Sequence, residues 1–332
     1  MRLVQFLDDE GQRRVGIVSN DGHTLSALAA AATVRELAAS AIDNGHGLAE
    51  EIGEKERGAL FELDDLLARG RVLPPLDHEE PNRLWLTGTG LTHIGSAQAR
   101  DRMHELAHSD GDGDLTDSMK IFKMGLEGGK PRDGGIGVQP EWFYKGTGTS
   151  VVPPGEDMPM PAFALAGGEE AEIVGLYIIG RDGTPWRIGY AISNEFSDQV
   201  TEAQNYLYLA HSKLRACSFG PELFVGDLPQ DIRGTVRVIR NGSVLWEGEF
   251  ASGEQNMSHS IANLEHYHFR YDMFRRPGDL HAYFFGAPIL SCAHGIETRD
   301  GDIFEIDVPA FGKPLRNTLR RQTTPAFAVR SL

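Results

Sequence analysis

Apolar positions set out the first elements of the chain. Arg2-Leu3-Val4-Gln5-Phe6 and Arg14-Val15-Gly16-Ile17-Val18 read as two strands, with Asp9-Glu10-Gly11 turning between them. Leu25 to Ala41 and Gly58 to Leu67 carry apolar residues at helical spacing and predict helices. The double proline in Leu73-Pro74-Pro75-Leu76-Asp77 then breaks the pattern and marks a linker. Residues 1–72 therefore read as a small N-terminal α/β unit.

Beyond the linker, Leu84-Trp85-Leu86-Thr87 is a buried-strand run, followed by the glycine turn Gly88-Thr89-Gly90 and a helix-like segment from His93 to His108. Ser109 to Gly137 is rich in Gly and Asp, as mobile or lid segments often are, and Met119 to Met124 within it reads as a short helix. From Trp142 onward strands dominate. Those expected are Glu172 to Ile179, Arg187 to Ile192, Gly234 to Arg240, Ser243 to Phe250, His281 to Gly286 and Ile303 to Val308. Helices are expected at Phe196 to Leu209, His259 to Tyr267 and Tyr271 to Arg276. Arg321 to Leu332 has no clear period and reads as a tail or an arm over a partner subunit.

Composition narrows the function classes. Of 332 residues, 40% are hydrophobic and 24% charged, which suits a sizeable core. The 48 acidic and 32 basic side chains leave a formal charge of −16, a poor surface for nucleic acid or an anionic membrane. An anionic substrate needs a local cation in such a field. The two cysteines, Cys217 and Cys292, make no disulfide framework and suit a reducing compartment. The N-terminus turns acidic before a signal-peptide core forms, and the Leu25 to Val34 stretch is too short to span a bilayer. The expectation is a cytoplasmic protein.

Four residues carry the chemistry: Glu170, Glu172, Glu195 and Lys213. In a strand, residues two apart share a face, so Glu170 and Glu172 project together. Glu172 leads into the apolar run Ile173 to Ile179, and Glu195 ends another apolar strand. Carboxylates at the mouths of buried strands call for a partner. Mg²⁺ takes oxygen ligands in octahedral geometry and keeps positions open, and Mn²⁺ is an alternative. A 2-oxo acid fills two such positions through its carboxylate and keto oxygens, and the ion then stabilises the enolate formed when a C3 proton leaves. The plain alternatives are a solvated Glu-x-Glu face, a helix N-terminal acid for Glu195 and a helix C-terminal lysine for Lys213.

The order of these residues resembles the fumarylacetoacetate hydrolase (FAH) superfamily. The matching segments are Glu170-Ala171-Glu172, then Gly189-Tyr190-Ala191-Ile192-Ser193-Asn194-Glu195-Phe196-Ser197, then Lys213 through Gly220-Pro221. Trp142-Phe143-Tyr144-Lys145, Arg276-Pro277-Gly278-Asp279, Gly301-Asp302 and Leu315-Arg316-Asn317-Thr318 extend the likeness over roughly residues 83 to 320. Two departures stand out. Glu195 replaces the usual Asp as third ligand, and Phe285-Gly286-Ala287-Pro288 replaces a threonine-bearing segment. The chain looks closest to a sugar-acid branch of that superfamily.

The resemblance implies an α+β, β-rich fold: an FAH-like mixed β-roll over residues 73–320, with the small unit 1–72 packed on it and a tail at 321–332. It implies metal ligation by Glu170, Glu172 and Glu195, and catalytic roles for Lys213, Glu195 and His93. Lys145, Tyr144, Ser150 and Lys213 are the expected substrate contacts. His104, with Glu105, and His108 are weaker candidates for a lid base, and the two histidines read more readily as ordinary surface residues. The expected activity is that of a Mg²⁺-dependent lyase dehydrating a 2-keto-3-deoxy sugar acid, as a homodimer. Alternatives are a C–C bond hydrolase of 2,4-diketo acids, a decarboxylase or tautomerase of related acids, and a sugar-acid binding protein without catalysis.

Overall fold

The computed structural model describes residues 1–93, 116–132, 134–323 and 327–332. The chain opens with strands β1 (Arg2–Leu7), β2 (Arg13–Val18) and β3 (Thr24–Leu28). Helices α1 (Val34–Asn44) and α2 (Leu48–Gly53), strand β4 (Arg57–Glu62) and helix α3 (Leu63–Ala68) follow. Next come β5 (Leu84–Gly88), α4 (Asp117–Gly128), β6 (Phe143–Thr147), β7 (Val151–Val152) and β8 (Asp157–Met160). The long strands β9 (Ala171–Ile179) and β10 (Pro185–Asn194) lead to α5 (Gln199–Gln204) and α6 (Leu209–Lys213). The remainder is β11 (Cys217–Phe219), β12 (Leu223–Phe224), β13 (Ile232–Arg240), β14 (Ser243–Ser252), α7 (Ile261–Phe269), β15 (Leu280–Phe284), β16 (Ile303–Asp307) and β17 (Leu315–Arg321).

Among the described residues these strands form two mixed sheets. The larger runs β4-β3-β2-β1-β12-β10-β9-β15-β5-β6, with β11 pairing β10 and β7. The smaller runs β14-β13-β16-β17-β8. The N-terminal strands join the larger sheet where β1 pairs β12, with Leu3 opposite Leu223.

Strand β9 is the centre of the molecule, buried along its whole length. Val174, Leu176 and Ile178 face a core shared with Leu84, Leu86, Leu280, Ala282, Phe284 and Leu37 of α1. Ala171, Ile173, Tyr177 and Ile179 face the second core, with Val236, Ile306, Leu315 and Leu264. Each such buried aliphatic side chain stabilises the fold by roughly 1.5–3 kcal/mol. This double burial explains why the run Ile173 to Ile179 shows no alternation.

Two expected helices are shorter than their apolar spacing suggests. Leu25 to Leu28 belong to β3, paired with β2 at Ile17–Ser26, and helix α1 begins only at Val34. The Thr33 side chain accepts from the Glu36 amide while Glu36 reaches back to the Thr33 amide, so a capping box sets that start. Sheet pairing overrides the helical propensity of the alanine run. Likewise Gly58 to Glu62 lie in the edge strand β4, and α3 starts at Leu63. The expected helix Phe196 to Leu209 is broken into α5, a 3₁₀ turn at Tyr206–Tyr208 and α6. Asp198 caps α5 by accepting from the Thr201 amide at 3.0 Å, so Phe196 stays outside it. Of the expected segment His93 to His108, only His93 is described; His104, Glu105 and His108 lie outside the described residues. No helix among the described residues is long and apolar enough to cross a membrane.

Candidate active site

Register brings the acids together. Ser193 of β10 pairs with Glu172 of β9, and Asn194 pairs with Ala171. The next amide, Glu195 N, donates to Glu170 O at 3.0 Å, so the ladder carries one residue past each strand end. Glu170, Glu172 and Glu195 thus share the sheet face of Val174 and Leu176. Each offers a carboxylate oxygen within 4.8 Å of the others, and all three are buried.

Backbone and side chains hold each acid. Asn194 Oδ1 accepts from the Glu170 amide (3.1 Å) and from the Phe196 amide (3.0 Å). Phe196, the residue after Glu195, has φ +23°, a backbone setting that side-chain-bearing residues rarely adopt. Ser197 Oγ donates to Glu170 Oε1. The Gly286 amide donates to Glu172 Oε2 at 2.7 Å. Gly286 has φ +97°, and a Cβ there would collide with Thr92 Oγ1, so this donor requires glycine. Glu169 accepts from the amide and the hydroxyl of Ser291, both at 2.8 Å. The segment 286–291 is therefore strapped to the acid-bearing strand at both ends.

Two lysines enter the cluster. Lys213, the last residue of α6, donates to Glu170 Oε1 (2.5 Å) and Glu195 Oε2 (2.7 Å). Its ammonium lies 4.9 Å from the centre of the Phe143 ring. That ring rests on Gly88, where a Cβ would clash with it. Lys145 Nζ lies 2.7 Å from Glu195 Oε1 and donates to Phe196 O (2.8 Å) and Lys213 O (3.1 Å). Thr87 pairs with Tyr144 while Leu86 pairs with Gly146, so Lys145 is the extra residue of a β-bulge. Bulges next to active sites re-aim side chains in this way.

Electrostatics follow from burial and these pairs. Burial would raise the Glu170 carboxyl, but the Lys213 charge and hydrogen bond outweigh it and lower it to about 2. Burial, then the charges of Glu195 and Glu170, push Glu172 well above the ordinary carboxylate range. Burial pushes Glu195 up to about 7 against the pull of Lys145 and Lys213. The acids raise Lys213 well above its ordinary value despite its burial.

The acid trio fits a divalent cation. Glu172 Oε1 is buried with no hydrogen-bond partner among the described residues. An all-carboxylate donor set suits Mg²⁺ or Mn²⁺. A buried carboxylate oxygen left without a donor is costly unless a cation meets it.

The other expected site residues are dispersed. His93 Nδ1 meets Thr92 Oγ1 at 2.9 Å, and its Nε2 meets Ser252 Oγ at 3.0 Å. Thr92 Oγ1 in turn donates to Phe285 O at 2.5 Å, so His93 stands behind the segment that presents the Gly286 amide. Burial pushes its pKa down to about 3, which makes it a weak base. Tyr144 points to the opposite sheet face from Lys145, where it lines a cavity of about 530 Å³ with Trp85, Trp142, Tyr267, Tyr271 and Phe274. Ser150 is half-buried in the turn Gly148–Ser150. Sequence reasoning missed Gly286 and Ser197. Ser197 lay inside a quoted motif, whereas nothing local marks Gly286 as an amide donor.

No family model matches the chain. A 2-dehydro-3-deoxy-D-arabinonate dehydratase of Saccharolobus solfataricus is 32% identical over 116 residues, 33% of this chain. That match spans 38% of the curated relative's length. A solved 2-keto-3-deoxy-D-arabinonate dehydratase in its apo form superposes with TM-score 0.71 at 20% identity, over 98% of this chain and 100% of that one. The same-named enzyme complexed with magnesium and 2,5-dioxopentanoate gives TM-score 0.70 at 19% identity, with coverage of 98% and 100%. A 5-carboxymethyl-2-hydroxymuconate delta-isomerase from Mycobacterium smegmatis gives 0.59 at 18% identity, covering 97% and 100%. The chain has the β-rich FAH-like fold that its motifs implied.

Proposed function

We propose that this chain is a Mg²⁺-dependent lyase that dehydrates a 2-keto-3-deoxy sugar acid of pentonate size. The observation that carries the reading is the convergence of Glu170, Glu172 and Glu195, with Glu172 Oε1 unpartnered and Lys213 at their edge. The likeness to a dehydratase solved with magnesium and 2,5-dioxopentanoate supports it. Glu170, Glu172 and Glu195 would hold the ion. When bound, the ion supplies Lewis-acid polarisation of the substrate's 2-keto group.

The chain's own residues set the rest. Fully ionised, three carboxylates against the ammoniums of Lys145 and Lys213 leave one net negative charge. A divalent ion turns that into one positive charge, and a single substrate carboxylate cancels it. The site thus selects a monoanion within a chain of formal charge −16. Lys213 is the cation placed to meet the substrate carboxylate or the charge that grows on the keto oxygen as the C3 proton leaves. The C4 hydroxyl then departs as water. Gly286 fixes the Glu172 carboxylate, and the strap 286–291 closes that side of the site. His93 supports the strap in this reading. Tyr144 and Ser150 lie outside the charge cluster and are not assigned substrate contacts. A cytoplasmic homodimer is the assembly we propose with it, on the resemblance and the two free cysteines.

The test uses chelator-treated protein with 2-keto-3-deoxypentonates, with and without Mg²⁺. Formation of 2,5-dioxopentanoate only when Mg²⁺ is restored is the expected result. Turnover of 2,4-diketo acids in place of the deoxy-keto acids would assign a C–C hydrolase. Calorimetric binding of either class without turnover would assign a sugar-acid binding protein.

A further inference from the structure

The two buried lysines are anchored differently. Lys145 is tied to main chain: its ammonium donates to the carbonyls of Phe196 and Lys213 at 2.8 and 3.1 Å, with Glu195 Oε1 at 2.7 Å. Two N–H groups of the ammonium are taken by main-chain carbonyls and its charge is paired with Glu195 Oε1, so Lys145 is held in place by fixed backbone. The β-bulge at Lys145 turns this side chain inward, and its Phe196 contact clamps the positive-φ residue that follows Glu195. Among the described residues, the hydrogen bonds of the Lys213 ammonium go only to side-chain carboxylates, Glu170 Oε1 at 2.5 Å and Glu195 Oε2 at 2.7 Å. Its position between two of the three candidate ligands is one that a divalent ion would contest.

Resting on the proposed metal site, we infer that the lysines divide their work. Lys145 is a fixed positioning residue that holds Glu195 as the third ligand. Lys213 is a displaceable cation that neutralises Glu170 and Glu195 until a divalent ion enters, and then turns to the anionic substrate. Glu195 is where this chain departs from the expected Asp, and its longer arm is the one held at both oxygens, by Lys145 and by Lys213.

The experiment measures Mn²⁺ binding by calorimetry and water-proton relaxation, and 2-oxobutyrate binding at saturating Mn²⁺. Lys145→Met is expected to weaken Mn²⁺ about 10–100-fold, the usual cost of losing a residue that orients a ligand. With Mn²⁺ saturating, its 2-oxobutyrate affinity stays within about twofold of the parent, since the measurement no longer reads metal loading. Lys213→Met shows the reverse: Mn²⁺ binds as tightly or more tightly, and 2-oxobutyrate weakens at least about tenfold, as loss of a charge-assisted contact predicts. If Lys145→Met does not yield folded protein, Lys145→Gln keeps two N–H donors for the carbonyls and is expected to show the same selective loss of Mn²⁺. The inference is overturned if the Lys145 variants bind Mn²⁺ normally, or if either lysine variant loses both ligands equally. Glu170→Gln and Glu172→Gln separate the two levels. Normal Mn²⁺ binding in both would remove the metal site itself, whereas its loss there with a failed lysine crossover removes only the division of work.

Discussion

At the residue scale, Glu172 is buried and only half satisfied. Its Oε2 has the Gly286 amide, but its Oε1 has no donor among the described residues, and the charges of Glu195 and Glu170 lie close by. Burial and the neighbouring acids disfavour the charged form of Glu172 in the metal-free fold, so a neutral isostere there is stabilising, whereas removing one partner of a satisfied pair destabilises a fold. Glu172→Gln is therefore expected to raise the metal-free melting temperature by about 2 °C or more, and to abolish Mn²⁺ binding. Glu170→Gln should do the opposite to stability, because it leaves the Lys213 ammonium short of a partner. A lower melting temperature for Glu172→Gln would show that its carboxylate is already satisfied. That Glu170 and Glu172 share a face could be read from spacing alone, whereas Glu195 meets them through the register of β10 on β9. Nor could the enclosure of Lys145 be read from spacing, because a bulge is a relation between two strands and leaves no mark in one of them.

At the element scale, the segment from Gly286 to Ser291 holds two buried acids in place. It contributes an amide to Glu172 and a hydroxyl and an amide to Glu169. Gly286→Ala is expected to displace this segment and weaken Mn²⁺ at least about tenfold, since orienting contacts carry effects of that size. Normal Mn²⁺ affinity in that variant would detach the strap from the site. A control lies far from the acids, at the start of α1. Thr33→Ala removes the capping box and is expected to cost about 1 kcal/mol in denaturant unfolding, with Mn²⁺ affinity unchanged. This same helix shows how local pattern misleads. The apolar spacing from Leu25 predicted helix throughout, yet Leu25 and Ala27 pack with Val4 and Phe6 beneath a sheet. Only the neighbouring strand β2, by offering a ladder, decides between the two.

At the scale of the whole molecule, stability should depend on both metal and pH. A ligand that binds only the folded chain stabilises it by about 2.7 kcal/mol at a hundredfold excess over its dissociation constant, so saturating Mg²⁺ should raise the melting temperature and chelation should reverse it. Acid acts through buried histidines. Burial pushes both His93 and His281 down to about 3, so they stay neutral in the fold while the unfolded chain takes up protons below its ordinary value near 6.5. At these two positions the unfolded state binds more protons, so their contribution to stability falls as pH drops from 6.5 toward 3, while Glu195, raised to about 7, contributes with the opposite sign. His281→Gln is expected to flatten this slope by about one proton, whatever its effect on the absolute midpoint. An unchanged slope in denaturant titrations between pH 7.5 and 5 would show that His281 titrates normally.

Composition and motif order determined the kind of molecule: a β-rich fold, an acidic chain whose anionic ligand needs a local cation, and the four residues able to provide that site. Those features are carried by residue type and by a two-residue period that any strand imposes. Tertiary structure alone decided which lysine is bonded to main chain and which to carboxylates, that His93 stands behind a strap, and that Tyr144 belongs to a different face from Lys145. These depend on register, on a bulge and on backbone groups contributed from more than a hundred positions away. Hydrogen bonding between distant segments is settled only when the chain has closed on itself.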